Sequence, residues 1–512
     1  MTILQSYLAG RWQTGTGPGT PLVNPTSDEL LAHASSVGLD LGEALRHGRQ
    51  VGGPALRAMS FAERGAALKA LSAAIHEQRE ALIALGVANA GNTRGDAKFD
   101  IDGATATLAA YAHFAKSLPD TPFLPDGDAI QLGRAPRFLG QHVWVPRRGV
   151  ALHVNAFNFP AWGMAEKAAC ALLAGVPVLE KPGTPTAMMA EAIAHIVVDS
   201  GILPEGAFQF LCGGAGDLLD HVETQDCVAF TGSSTTAAIF RRHDAFVLRG
   251  ARLNVEADSL NAAVLGPGVC SDDEVFDLFV REVVREVTQK AGQKCTAIRR
   301  VMVPEAMLGE ACEAIAAGLE GVRVGDPAQR DSRMGPLTNA AQLASVLEGT
   351  ERLASVGEAV TGGDGRRGDV GCFVSPTLLR ASDADADVLH ADEVFGPITS
   401  VMPYDGTVAR AAELVVRGQG GLVASLYCDD RRFSAELAQE LMPWTGRVYA
   451  GDSKTAEYAT GHGLVLPACT HGGPGRAGGG EELGGLRGLQ FSMQRCALQG
   501  GRALVDGFSS KG

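Results

Sequence analysis

Residues 291–300 read AGQKCTAIRR, so Cys295 stands behind a Gly-Gln pair, after a long helical pattern and before a short apolar strand. A thiolate there can attack a carbonyl carbon, although a buried inert thiol is the commoner state of an intracellular cysteine. Glu256 ends the strand pattern RLNVEA, where a partly desolvated carboxylate serves as a general base or a solvated one makes a surface salt bridge. Asn158, in NAFNFP, offers an amide to an oxyanion or shapes a turn. Lys181, in LEKPGTP, reaches a phosphate or ribose or is simply solvated at a strand end. In FTGSSTTA, Thr231, Gly232 and Ser233 sit where a strand gives way to a helix, which suits a pyrophosphate or a plain N-cap. CGGAGDLL, with Gly213, Gly214 and Gly216, falls short of a full G-x-G-x-x-G, and no G-x-x-x-x-G-K-[ST] occurs.

The elements that carry these residues alternate. Between 149 and 257, GVALHV, VPVLEK, AFQFLC, CVAFTG and RLNVEA read as strands, and WGMAEKAACALLAG, TPTAMMAEAIAHIVVDSG, GDLLDHV and STTAAIFRR read as helices. That alternation predicts βαβ units on a parallel sheet, with ligands beyond its carboxyl strand ends. Asn158, Lys181, Ser233 and Glu256 then share one sheet edge. After 270 a second α/β region opens with the helix pattern DDEVFDLFVREVVREVTQK and the strand IRRVMVP, and such units continue to about 450. This region brings Cys295 to the edge of the first, the combination that cysteine-dependent aldehyde oxidation requires.

The rest of the chain frames these two regions. The first sixty residues read as short strands and turns. Residues 60–91 read as one long amphipathic helix, opened by a capping box of Ser60 and Glu63. Residues 131–149 read as two strands joined by a turn, either a protruding hairpin or a sheet edge. Residues 361–371 read as a surface loop, and HGGPGRAGGGEELGG as a shaped glycine-rich loop.

The 512 residues are 46% hydrophobic and 20% charged, with a net charge of −14, which suits a soluble enzyme and turns away from nucleic acid. No apolar run approaches the length of a membrane span, and the N-terminus lacks the pattern of a signal peptide. The ten cysteines form no C-x-x-C pair, which points to a reducing cytoplasm and to neither a metal site nor a disulfide framework.

The ordered set NFP with Asn158, KP with Lys181, FTGS with Ser233, GQKC with Cys295, VGDP, MGPL, EVFGP with Glu393 and Phe395, and GGGEELGG resembles the NAD(P)-dependent aldehyde dehydrogenase superfamily. The similarity covers almost the whole chain. It implies the fold of that family: an α/β chain with a Rossmann-like parallel-sheet cofactor domain (1–130 and 150–258), a second α/β catalytic domain (259–470), and a small β oligomerisation element with a C-terminal segment (131–149 and 471–512). It also implies roles. Cys295 is the nucleophile, Asn158 and the Cys295 backbone N–H hold the oxyanion, and Glu256 activates water. Lys181, Gly214, Thr231, Gly232 and Ser233 hold the adenosine end and pyrophosphate. Glu393 and Phe395 position the nicotinamide ribose and ring. Lys167 with Glu482 matches a proton-relay pair, the neighbouring Glu481 being the alternative.

The departures from the family pattern carry information. EADSLN replaces ELGGK around the base, Ala156-Phe157 replaces Pro-Trp, and His471 stands where phenylalanine is usual. These variants resemble the branch that oxidises CoA-linked semialdehydes in aerobic aromatic breakdown. No hydratase domain follows within the chain, which favours the benzoate-type substrate over the phenylacetate-type one. Thr184, three residues after Lys181, is neutral where NAD-preferring relatives carry glutamate, so NADP is expected, with NAD allowed. The resemblance further implies a homodimer or a pair of dimers. Arg241, Arg242, Arg299 and Arg300 are candidate contacts for CoA phosphates, or surface ion pairs. The competing readings are a CoA-acylating dehydrogenase, told apart by its thioester product, and a dinucleotide-binding protein without turnover.

Overall fold

The computed structural model describes residues 2–508. Its first sheet has seven strands. Five are parallel, in the spatial order Arg252–Glu256, Cys227–Thr231, Ala151–Val154, Val178–Lys181, Phe208–Phe210. Gln5–Leu8 and Arg11–Thr14 close one edge in antiparallel pairing. Ala151–Val154 and Val178–Lys181 are buried at every residue, as strands covered on both faces must be. The strand order reverses between Ala151–Val154 and Cys227–Thr231, which opens the ligand crevice at their carboxyl ends.

The second sheet also has seven strands, in the order Gly357–Thr361, Thr377–Ala381, Ile398–Tyr404, Arg300–Pro304, Ala262–Leu265, Ala424–Tyr427, Val448–Gly451. All run parallel except the edge strand Gly357–Thr361. Only residues 257–261 separate Arg252–Glu256 of the first sheet from Ala262–Leu265 of the second. Glu256 is thereby delivered to the seam of the two layers. Asn261 fastens the seam, its amide donating to the carbonyls of Cys295 (2.7 Å) and Ala297 (3.0 Å) while its oxygen accepts from Val423 N–H (3.1 Å).

The segment that carries Cys295 is strained and strongly held. After the helix Glu274–Thr288, Lys290 (φ 54°), Ala291 (φ 52°) and Gly292 (φ 68°) are left-handed in succession. For a non-glycine residue this costs about 1 kcal/mol or more and persists only where the surroundings impose it. The surroundings do so here. The Lys290 ammonium lies 4.4 Å over the Phe159 ring and 4.0 Å from Asp100. Lys294 donates to Glu286 and Gln289, both at 2.7 Å. Arg299 donates to the Gly292 carbonyl at 2.9 Å and the Lys294 carbonyl at 3.2 Å.

Elsewhere the elements differ from the sequence expectation in definite places. Residues 41–58 are helical, Leu41–His47 and Gly53–Ala58 joined by one wide turn, Gly48–Gly52, rather than strands and turns. The glycines there permit close packing: a Cβ on Gly52 would stand 1.9 Å from the Gly206 carbonyl oxygen. The Ser60–Glu63 capping box is present, but the helix it opens ends at Glu77 and a second runs over Arg79–Ala90. The longest helix, Arg94–Phe114, fell between the segments read from sequence. The hairpin expected at 131–149 lies earlier. It pairs Leu124–Gln131 with Phe138–Pro146, the Gly-Arg-Ala-Pro stretch forms its turn, and Met493–Gly501 adds a third strand. The last four residues of the expected 471–512 segment lie outside the described residues.

Gly292 tests this loop. A Cβ there would meet the Gly396 carbonyl oxygen at 2.2 Å, on a backbone that disfavours side chains. Gly292→Ala is expected to leave circular dichroism unchanged and to lower turnover about a hundredfold, the cost of moving a reacting group by about 1 Å. Turnover within twofold of wild type would show that the loop tolerates displacement.

Candidate active site

One cavity of about 40 Å3 opens at the seam of the sheets. Asn158, Glu166, Lys167, Thr231, Glu256, Cys295 and His471 line it, against an apolar wall of Phe99, Phe159, Trp162 and Val465. The Cys295 sulfur lies 3.9 Å from His471 Nε2, and the same nitrogen lies 3.1 Å from Glu256 Oε2. Burial alone would raise the Glu256 carboxyl, but the His471 imidazolium outweighs it and holds the group well below the usual carboxylate range. Burial disfavours a charged His471 ring, and Glu256 more than offsets it, so the ring stays protonated well above its ordinary value. Burial pushes the Cys295 thiol up and Glu256 adds to the push, while His471 pulls it down. The ligating atoms of Glu256, Cys295 and His471 lie within 4.8 Å of one another. Cysteine spacing could not show that convergence, which the ion pair beside the thiol explains as acid–base machinery. All ten cysteines are free.

A second charged group adjoins the first. Lys167 Nζ lies 3.0 Å from Glu482 and donates to Glu166 at 3.2 Å. Burial would lower the lysine, but Glu482 and Glu166 reverse that and hold it charged. Burial raises Glu166 to about 7 against the pull of Lys167. Glu482 is the buried partner, further held by the Asn254 amide at 3.2 Å, whereas Glu481 is exposed and pairs with Arg487 at 2.7 Å. Sequence reasoning passed over Glu166. Its signal was two adjacent charges in the helix Trp162–Ala174, otherwise apolar and almost wholly buried.

The carboxyl ends of the first sheet fit a dinucleotide. The buried Thr231 hydroxyl has no hydrogen-bond partner, and neither has Glu393 Oε1, from which Arg299 Nε stands 3.7 Å away. The other Glu393 oxygen accepts from Ser259 N–H at 3.0 Å, and burial raises this carboxyl to about 7. The Phe395 ring meets Phe157 at 5.9 Å. Lys181 donates to the Pro182 carbonyl at 2.8 Å, and burial lowers its ammonium to about 8. Thr184 donates to the Gly213 carbonyl at 3.4 Å, and Gly214 precedes the short turn of helix Leu218–His221. Ser233 caps the helix Ser234–Arg242, its hydroxyl accepting from Thr236 N–H at 3.3 Å. Gly232 leaves that turn without a side chain. Asp258 already accepts from Ser234 N–H at 3.0 Å, so part of this helix end is satisfied internally.

Two of the four arginines offered as CoA contacts are neither that nor surface ion pairs. Arg299 and Arg300 are buried and spend their donors on backbone carbonyls, Arg300 on those of Leu260, Leu414 and Val415. Arg241 donates to the Gly478 carbonyl at 2.7 Å.

A thiol beside a buried carboxylate, at the edge of a sheet whose strand ends fit a dinucleotide, suits an enzyme that oxidises a carbonyl compound. The aldehyde dehydrogenase family profile matches residues 12–494, and the chain belongs to that family, an oxidoreductase acting on aldehydes. It is 44% identical over 478 residues to 3,4-dehydroadipyl-CoA semialdehyde dehydrogenase of Aromatoleum evansii, covering 92% of this chain and 93% of that one. The lactaldehyde dehydrogenase structure from Escherichia coli matches its fold with a TM-score of 0.85 at 23% identity, over 98% of this chain and 99% of that one. The NAD+ complex of an aldehyde dehydrogenase from Bacillus cereus matches with a TM-score of 0.83 at 21% identity, over 98% and 96%.

Lys167 is the cation between two buried carboxylates, and removing it leaves both unpaired. Lys167→Met is expected to lower the unfolding free energy by about 3–5 kcal/mol. Unpaired carboxylates favour their protonated forms, so part of the loss returns as pH falls below about 7. Urea unfolding at pH 8 and pH 6 measures both. A loss that does not change with pH would show that the carboxylates find other partners.

Proposed function

We propose that the protein oxidises a CoA-linked semialdehyde to its acid, with 3,4-dehydroadipyl-CoA semialdehyde of benzoate breakdown as the substrate and NADP as the acceptor. The observation that carries this reading is the shape in front of Cys295. The narrow cavity shares Phe99, Trp162 and Val465 with an open groove of about 520 Å3, along which lie Lys98, Gln289 and Leu464. A slim acyl chain fits the first space, and a bulky carrier stays in the second. The identity to the Aromatoleum enzyme supports the same choice.

In this reading the Cys295 thiolate attacks the aldehyde carbon while Asn158 and the Cys295 N–H stabilise the oxyanion. A nicotinamide held beside that carbon by Glu393 and Phe395 would supply the hydride acceptor. Cys295 is left holding a thioester, and Glu256 takes a proton from the water that cleaves it. The Lys167–Glu482 pair carries that proton outward. Lys181 and Thr184 meet the 2′-phosphate, with no carboxylate on either to repel it. The exposed three-stranded sheet is the assembly element of a homodimer. Ten free thiols and the absence of a membrane-spanning helix among the described residues support work in the cytoplasm.

The test is NADPH formation with this substrate, with the phenylacetate-type semialdehyde alongside, and product analysis with and without free CoA. Cys295→Ala is expected to abolish turnover. Glu256→Gln is expected to give one burst of NADPH and then stall as the thioester. Asn158→Ala is expected to lower kcat by about 10²–10³. Equal turnover in wild type and Cys295→Ala, or a new CoA thioester as product, would overturn the reading.

Cofactor choice is checked separately. Thr184→Glu is expected to weaken NADP at least tenfold while sparing NAD. In the wild type the Lys181 cation is present below about pH 8 and lost above it. The KM for NADP should therefore rise between pH 7 and 9 more steeply than that for NAD. Parallel pH trends for the two cofactors would remove Lys181 from phosphate recognition.

A further inference from the structure

His471 occupies the point where the nucleophile and the base meet, and the reaction as described leaves it without a task. Its Nε2 lies 3.9 Å from the Cys295 sulfur and 3.1 Å from the Glu256 carboxylate. The ring is 5% exposed and belongs to the strand Thr470–Gly472, which pairs with Glu481–Leu483 so that His471 faces Glu482 across the ladder. That pairing fixes the backbone beneath the ring, and the two strands lie close: a Cβ on neighbouring Gly472 would meet the Gly480 carbonyl oxygen at 2.1 Å.

We propose that His471 is a catalytic group, passing the thiol proton of Cys295 to Glu256 through its Nε2 and remaining as the imidazolium that holds the thiolate. In this step the S–H bond breaks, Nε2 gives its own proton to a Glu256 oxygen, and Nε2 regains a proton from the sulfur. One O–H bond forms for the S–H bond lost, and no charge is left without a counter-charge. The inference rests on Cys295 being the nucleophile. The surroundings explain the need for it. The sulfur faces apolar walls and a carboxylate, which both oppose its ionisation, and His471 is the group that favours it. The other charged groups around the pair are Glu166 and Lys167 on the helix Trp162–Ala174, Glu482 on the partner strand, and the Arg299 and Arg447 guanidiniums on the Cys295 side. Lys167 is committed to its two glutamates, and Arg299 and Arg447 donate to backbone carbonyls.

A histidine that merely neutralised Glu256 would not set the reactivity of the sulfur, and alkylation separates the two roles. Iodoacetamide modification of Cys295, followed by peptide mass spectrometry from pH 5 to 10, reads the thiolate without aldehyde or cofactor. His471→Phe keeps a ring of similar size, and His471→Gln keeps a polar group without the charge. Both are expected to move the pH midpoint of alkylation up by about one unit or more and to slow alkylation at pH 7 about tenfold or more. NADP binding and the thermal midpoint confirm that each variant is folded, and either variant alone decides the question. Profiles that superpose on wild type would overturn the inference and leave Cys295 as nucleophile. A wild-type Cys295 no more reactive at pH 7 than the exposed Cys270 would overturn both.

Discussion

The structure turns on the cost of burying charge around one sulfur. Glu166, Glu256 and Glu482 share the seam with Lys167 and His471, all nearly closed to solvent. A carboxylate taken from water without a partner costs several kcal/mol, so each must be answered by a cation in contact. Lys167 answers two and His471 answers the third. With both cations committed, a thiolate at Cys295 would add a further negative charge to a space that resists it. Ionisation of the sulfur therefore has to be accompanied by uptake of a proton nearby.

The fold satisfies this constraint by drawing the charges from separate chain segments that cannot move independently. Glu166 and Lys167 come from a helix buried on nearly every face, and Glu256 from the last residue of the edge strand that adjoins the second sheet. Cys295 comes from a loop pinned by Asn261 and Arg299, and His471 and Glu482 from two short strands paired with each other. The left-handed run at 290–292 is tolerable because Lys290 and Lys294 are themselves fixed in buried ion pairs behind it. The cavity at this seam is lined both by residues from the carboxyl ends of the first sheet, Asn158, Thr231 and Glu256, and by Phe99, Trp162 and Val465, which it shares with the open groove.

Much of this was legible in the sequence, for a physical reason. A parallel sheet puts its ligand-facing residues at strand ends, and alternating apolar runs mark those ends, so Asn158, Lys181, Ser233 and Glu256 were placeable from pattern alone. Cys295 stood out as a nucleophile type that the second region brings to that edge, and the family resemblance supplied its role together with Glu393 and Glu482. What sequence could not show was contact between distant segments. His471 meets Cys295 across 176 residues, and nothing local marks it beyond a histidine in place of phenylalanine. Arg299 and Arg300 read as anion contacts or surface ion pairs because charge is usually outside, yet the backbone carbonyls of Gly396 and of the C-terminal turn of helix Val408–Val416 absorb them. The helices at 41–58 were hidden because their glycines serve packing rather than turns.

The segment from 470 to 483 shows how these constraints meet. His471 within it lines the cavity beside Cys295, while the strand Met493–Gly501 further along joins the three-stranded sheet. Placing His471 and Glu482 opposite each other on one short ladder couples the two charged groups mechanically. A displacement that moved the imidazole from the sulfur would also move a carboxylate from Lys167. The net charge of the seam can then stay constant while protons change places within it. In the proposed reaction Glu256 gains the thiol proton as the sulfur gains negative charge, and that proton has to leave by way of Lys167 and Glu482 before the same carboxylate can take a proton from water in the second half. A small apolar cavity can host both halves because neither one requires an uncompensated charge to appear inside it.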